Sequence, residues 1–90
     1  MKFEWDKRKG RLNKRKHGVD FNEASTVFCD ALSITIPDPE HSFGEERWVM
    51  MGFSIRARLL VVVHTDKGDI IRIISARPAN RLERREYEEK

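Results

Sequence analysis

Cysteine is nearly absent from this chain: Cys29 stands alone among 90 residues. No internal disulfide can form, so a reducing cytoplasm is the expected home. Long apolar runs are missing too. The longest, Leu59–Val63, falls far short of the ~20 residues a membrane helix needs. The N-terminal MKFEWDKRK lacks the apolar core of a secretory signal. The three histidines, His17, His41 and His64, are far apart, and beside one cysteine they make no metal-ligand spacing. No metal or other cofactor is expected. The absence of a glycine-rich phosphate loop argues against a nucleotide-hydrolysing enzyme. With no repeat and no low-complexity segment, residues 1–90 are expected to fold as one domain around one core.

Charge is plentiful and unevenly spread. Charged residues make up 37% and hydrophobic residues 39%, with a net charge of +3. Residues 1–17 carry eight Lys or Arg against Glu4 and Asp6, a net +6, whereas residues 18–76 carry a net −4. Such a dipolar surface steers a polyanion toward one side. The plain alternative is that most of these charges are solvated helix faces.

Asp6 is a good N-cap for a basic helix reaching about Lys16, and His17-Gly18 reads as its stop. Ala24, Val27, Phe28 and Ala31 recur at helical spacing, which predicts a second helix over Asn22–Asp30 with Cys29 packed as a small hydrophobe. The pattern then switches to strands: Leu32–Ile36, Glu46–Phe53, Arg58–Thr65 and Asp69–Arg77, with a polar loop at 38–44 and a short turn at Ser54–Ala57. Residues 1–5 read as a short strand or arm. Pro78 marks a strand exit, and 79–89 a last helix. The expected architecture is α+β: two N-terminal helices, an antiparallel meander of about four strands and a C-terminal helix. A three-residue turn at Asp66-Lys67-Gly68 sets the predicted register. It puts Leu60, Val62 and His64 on one face with Ile70, Arg72, Ile74 and Ala76, and leaves Leu59, Val61, Val63, Ile71 and Ile73 as a wall for helices to cover.

Residues 70–88, IIRIISARPANRLERREYE, carry the densest chemistry. Arg72 lies on a strand, Arg77 at its mouth, and Arg81, Arg84 and Arg85 follow. Planar, permanently charged guanidiniums on a rigid sheet suit phosphodiester oxygens, so the pattern points to nucleic acid.

Five blocks, in order, give a resemblance: F-E-W-D-x-x-K (3–9), N-x-x-K-H-G-V-x-F-x-E-A (13–24), E-E-R (45–47), R-L-L-V-V-V-H-T (58–65) and R-I-I-S-A-R-x-A-x-x-x-E-R-x-x-Y (72–87). Together they resemble the BrnT family, toxins of type II toxin–antitoxin pairs. The resemblance implies a fold similar to RelE-type ribonucleases and metal-independent RNA cleavage that stops translation. It also implies a BrnA antitoxin that neutralises the toxin and carries the DNA-binding domain, so that operator DNA is reached only through the antitoxin. Pro78 departs from the usual basic residue there, which removes one expected phosphate contact.

RNA cleavage by the ribose 2′-hydroxyl needs a base, cations for the phosphate and an acid for the leaving oxygen. His17, His64, Glu45 and Glu46 are the candidates for proton transfer; Arg72 and Arg77, with Lys9, Arg47, Arg58 and Arg81, are those for phosphate or RNA contact. Each has a structural alternative. His17 caps a helix, His64 packs in the sheet, and Arg72 finds Glu46 or Glu83. Trp5, Trp48 and Tyr87 read as packing residues and His41 as idle. Trp48, Met50, Met51 and Phe53, read as an edge strand, offer an antitoxin landing site, with the core as their alternative. A second function fits the same basic face: a non-catalytic module that binds nucleic acid or a partner protein, with salt-sensitive binding and no cleavage.

Overall fold

A computed structural model describes residues 1–41 and 44–89. Strand β1 (Lys2–Glu4) leads into helix α1 (Lys7–His17). Both ends of α1 follow the local chemistry. Asp6 accepts a hydrogen bond from the Lys9 backbone N–H at 3.0 Å, and Gly18 closes the helix at φ 72° with its N–H on the Lys14 carbonyl. Helix α2 (Phe21–Thr26) is shorter than the expected Asn22–Asp30 and runs into a 3₁₀ turn, Val27–Cys29. That turn leaves Cys29 exposed rather than packed, because the helical spacing that would have buried it ends at Thr26. Strand β2 (Ile34–Pro37), a 3₁₀ turn (Pro39–His41), β3 (Arg47–Phe53), β4 (Leu59–Lys67), β5 (Ile70–Pro78) and α3 (Arg81–Glu88) follow. A capping box of Asn80 and Glu83 starts α3. Residues 42 and 43 of the expected 38–44 loop lie outside the described residues.

The sheet has five strands in the order β1-β5-β4-β3-β2, so it is mixed rather than a purely antiparallel meander of about four. Strands β2 to β5 pair antiparallel, as their short connections require. The N-terminal arm adds β1 parallel to β5, with Phe3 opposite Ile71 and Glu4 opposite Arg72. Strand β3 lies inside the sheet. Met50 therefore joins the larger core, and Met51 and Phe53 the smaller, instead of forming an edge for a partner, while Trp48 enters neither and is partly buried.

The β4–β5 register corrects the expected one. The turn is Gly68-Asp69, with Gly68 at φ 69° in the first central position, where a two-residue hairpin needs positive φ. Thr65 therefore faces Arg72, and His64 faces Ile73. A bulge follows: Val63 faces Ser75, which leaves Ile74 as the extra residue. Beyond it Val62 faces Ala76, whereas a 66–68 turn would have set it opposite Arg72. Ile71 and Ile73 thus share the face of Leu60, Val62 and His64, while Arg72 goes to the opposite face with Val61, Val63 and Thr65.

Helices α1 and α2 cover the first face, where Val19, Phe21, Ala24, Val27, Met50, Leu60, Val62, Ile73 and Ala76 form the larger core, with Phe3, Trp5 and Phe28 against it. Half of the second face is covered by α3, whose Tyr87 packs with Met51, Leu59 and Val61. The Tyr87 hydroxyl donates to Asp30 at 2.6 Å, and the same Asp30 oxygen accepts the Phe53 N–H at 2.8 Å. Gly52 leaves room for that carboxylate, since a Cβ there would sit 3.1 Å from it and 3.0 Å from Val27.

One polar residue fixes α1 to the sheet. Asn13 is buried, and its amide donates to the Ala76 carbonyl at 2.8 Å and accepts the Ala76 N–H at 3.1 Å. Strand β1 stops pairing at Arg72, so Asn13 takes the place of a strand neighbour further along β5. A third bond, to the Val19 carbonyl at 2.9 Å, holds the chain where it leaves the helix.

Candidate functional site

The exposed half of the second face carries a cross-strand row: Arg47 on β3, Thr65 on β4 and Arg72 on β5 stand directly opposite one another. Helix α1 starts just beyond β1 and contributes Lys9. His41 from the 3₁₀ turn, Glu45 and the bulged Ile74 complete the lining of a hollow of about 180 Å³. Three cations and one histidine thus meet on one rigid patch. Guanidinium forks on the two strands that flank β4 suit phosphate oxygens, and Lys9 adds a point charge.

The pairing of Arg72 is loose. The nearest Arg72 nitrogen lies 3.7 Å from Glu4, with both side chains substantially exposed. Arg72 also helps to lower the Asp6 carboxyl below its ordinary range, after the main cause, the hydrogen bond from the Lys9 N–H. Glu45 reaches Lys67 at 3.2 Å. Thr65 is buried, and its hydroxyl has no partner among the described residues. An uncompensated buried hydroxyl is costly, which makes it notable between two arginines.

Of the residues singled out in the sequence, Lys9, Arg47 and Arg72 come together, with Glu45. His17 lies at the end of α1 in an adjoining hollow of about 220 Å³ that it shares with Lys9, Ile74 and Ser75. The others stand elsewhere. His64 is buried on the helix-covered face, edge-on to Phe28 at 4.8 Å, with neither ring nitrogen partnered among the described residues. Burial pushes its pKa down, so the imidazole sits neutral in the fold. It does not share a face with Arg72, because the turn is one residue shorter than expected and displaced along the chain. Glu46 is exposed just before β3 and does not line the hollow.

Arg58 and Arg77 are engaged in structure. Arg58 grips Glu23 through two nitrogens, with Nε at 2.9 Å, and reaches the Gly18 carbonyl. Glu23 is buried on α2 and also accepts the Ser54 hydroxyl at 2.7 Å. The Arg58 bond, chiefly, holds its carboxyl below the usual range. Arg77 forms a two-pronged pair with Glu83, 2.8 Å on each side, which lowers the Glu83 carboxyl and raises Arg77. Arg81 is exposed on α3. The Arg72 alternatives, Glu46 and Glu83, are not its partners; Glu4 is, from the added strand.

Two residues of the hollow escaped the sequence reading. His41 read as idle, yet its Nδ1 lies 3.0 and 3.2 Å from the two Asp38 oxygens. The Asp38-x-x-His41 spacing was the available signal. Thr65 carried none beyond its place after His64. A larger hollow of about 400 Å³ lies on the other side of α1, where Trp5 and Phe21 form an apolar floor beneath Lys7, Arg11 and Lys14. It contains no histidine and no arginine from the sheet, so chemistry on a phosphodiester is better served by the smaller one.

Residues 5–83 match the family model of the ribonuclease toxin BrnT of type II toxin–antitoxin systems. No curated protein matches the chain. Among solved structures, the fold is similar to that of the Brucella abortus ribonuclease toxin BrnT, with a TM-score of 0.70 and 24% identity, covering 90% of this chain and 99% of that one.

Proposed function

Because this chain belongs to the BrnT family of ribonuclease toxins from type II toxin–antitoxin systems, we propose that it cuts RNA as a metal-independent endonuclease and so blocks translation. The observation that carries the reading is the convergence of Arg47, Arg72 and Lys9 around Thr65. In this reading the scissile phosphate sits over the row. Arg72 and Arg47 hold its non-bridging oxygens and stabilise the negative charge that grows as the ribose 2′-oxygen attacks. Lys9 steers the strand and lowers the charge at the leaving side. Protein cations here supply charge stabilisation of the kind a metal gives elsewhere, which is the RelE-type way of working. His17, next to Lys9, is assigned to RNA contact.

Such a toxin needs an antitoxin, and we assign it a BrnA-like partner. The partner covers the cationic hollow with an acidic, initially disordered segment and takes the complex to operator DNA to repress its own operon. The site of action is the cytoplasm; no described helix is long and apolar enough to cross a membrane.

The test is cleavage of a purified transcript by the free protein in EDTA, run beside the same transcript under translation in a cell-free extract. Cleavage in EDTA with 2′,3′-cyclic phosphate ends is the expected result. Loss of cleavage in EDTA that returns with added metal would overturn metal independence. Intact RNA in both formats would overturn the nuclease reading.

A further inference from the structure

Resting on the nuclease reading, we infer that His41 is the general base of the reaction and that Asp38 is its positioning residue. The pair is built by the fold at the mouth of the cationic hollow. Strand β2 ends at Pro37, and the 3₁₀ turn Pro39–His41 brings the imidazole to the hollow that Lys9, Arg47 and Arg72 line. The Asp38 N–H donates to the Arg47 carbonyl at 2.8 Å, which ties the turn to the start of β3 and so to one of the phosphate-binding arginines. The His41 N–H in turn reaches the Asp38 carbonyl at 3.3 Å.

The side-chain geometry fixes the role of each ring nitrogen. With Nδ1 against the Asp38 carboxylate, the proton sits on Nδ1, and Nε2 keeps its lone pair. A carboxylate behind the ring also stabilises the imidazolium that forms when Nε2 takes a proton. His17 and His64 lack this arrangement: among the described residues neither has a carboxylate at its ring within salt-bridge distance, and His64 is buried on the other face. The charges facing His41 are Asp38 from its own turn, Glu45, and the cations Lys9, Arg47 and Arg72. The cations oppose a further positive charge in the hollow, and the two carboxylates offset them.

The step balances simply. His41 Nε2 takes the proton of the ribose 2′-hydroxyl as its oxygen bonds to phosphorus; the bond from phosphorus to the 5′-oxygen breaks, and the departing oxygen takes a proton from water. The products are a 2′,3′-cyclic phosphate and a 5′-hydroxyl. The imidazolium then returns its proton to solvent.

The experiment compares His41→Ala, Asp38→Asn and Arg72→Ala with wild type, on naked transcript and on translated transcript, as kcat and KM across pH. The expected result for His41→Ala is a loss of ~10²–10⁴-fold in kcat, the usual worth of general acid–base catalysis, with KM little changed. The acidic limb of the pH–rate profile should vanish, and added imidazole should restore part of the rate to His41→Ala but none to Arg72→Ala. Asp38→Asn should retain activity at a reduced kcat. A His41→Ala rate equal to wild type while Arg72→Ala is inactive would overturn the inference and leave the nuclease intact. A defect confined to KM, with the acidic limb preserved, would also overturn it by making His41 an RNA contact. Intact RNA with wild-type protein in both formats would sink the nuclease reading itself. Thermal melting of each variant separates these outcomes from misfolding, and His41, exposed on its turn, is expected to melt as wild type.

Discussion

Arg77 and Arg72 lie on the same strand and face the same side of the sheet, at its two ends. At the α3 end, Arg77 meets Glu83 at 2.8 Å through both terminal nitrogens, and Glu83 is at the same time the capping residue of α3. Arg58 is held in like manner by the buried Glu23. At the other end, the salt-bridge partner of Arg72 among the described residues is Glu4, 3.7 Å away and about half exposed. The difference lies in what surrounds each fork. A guanidinium that already has a two-pronged carboxylate has no fork left for a phosphate, whereas one with a single distant, solvated partner exchanges it at little cost. One end of the face fastens a helix, and the other is the end to which the phosphate site is proposed.

The sharpest way to break this comparison is at Arg72. Arg72→Ala is expected to lower RNA cleavage by ~10²–10³-fold, the scale of removing one donor to a developing oxyanion, with no change in melting. Equal cleavage by the variant would end the division between the two arginine classes. Asn13→Ala probes the helix that carries Lys9 to the hollow. It leaves two groups of Ala76 unpaired, and at ~1–3 kcal/mol per unsatisfied buried group the expected loss in urea unfolding is on the order of 3 kcal/mol.

Tyr87→Phe tests the fastened end alone, with an expected cost of about 2 kcal/mol for a bond to a charged acceptor and no change in cleavage per folded molecule. It has a pH signature. Chiefly through the Asp30 hydrogen bond, the Tyr87 hydroxyl is pushed from 10.0 up to about 12. Because the protonated form is favoured in the fold, its contribution is complete below pH 10.0 and is lost as pH rises through about 12. Stability curves of wild type and Tyr87→Phe should therefore converge over that window. The smallest effect is expected from Arg77→Ala, about 1 kcal/mol for a partly exposed pair, with cleavage per folded molecule unchanged. Abolished cleavage in a folded Arg77→Ala would move the phosphate site toward α3.

Local chemistry was legible wherever it acts over a few residues. Asp6 and Gly18 bound α1 as read, Pro78 ends β5, and Tyr87 packs as expected. Lys9, Arg47 and Arg72, drawn from three separate blocks of the sequence, do converge. The register was not legible, because Asp66-Lys67-Gly68 and Gly68-Asp69 are both acceptable turns by residue type, and the choice between them reverses which face each β4 and β5 side chain shares. The bulge at Ile74 then sets Val62 opposite Ala76, which no alternation pattern discloses. His64 lost its place beside Arg72 for this reason. His41 was overlooked for a different one: a histidine in a polar loop has no periodicity to place it.

The sequence by itself determined the family, the α+β order of elements, the helix caps and the surplus of cations at the N-terminal end, since these depend on residue type, short-range spacing or ordered motifs. Only the tertiary structure decided which arginines are consumed by carboxylates, that the N-terminal arm adds a parallel strand beside β5, and that Asp38 and His41 stand by the Arg47–Thr65–Arg72 row. These outcomes depend on strand register and on contacts between distant segments. A change of one residue in a turn alters them completely while leaving every local preference satisfied.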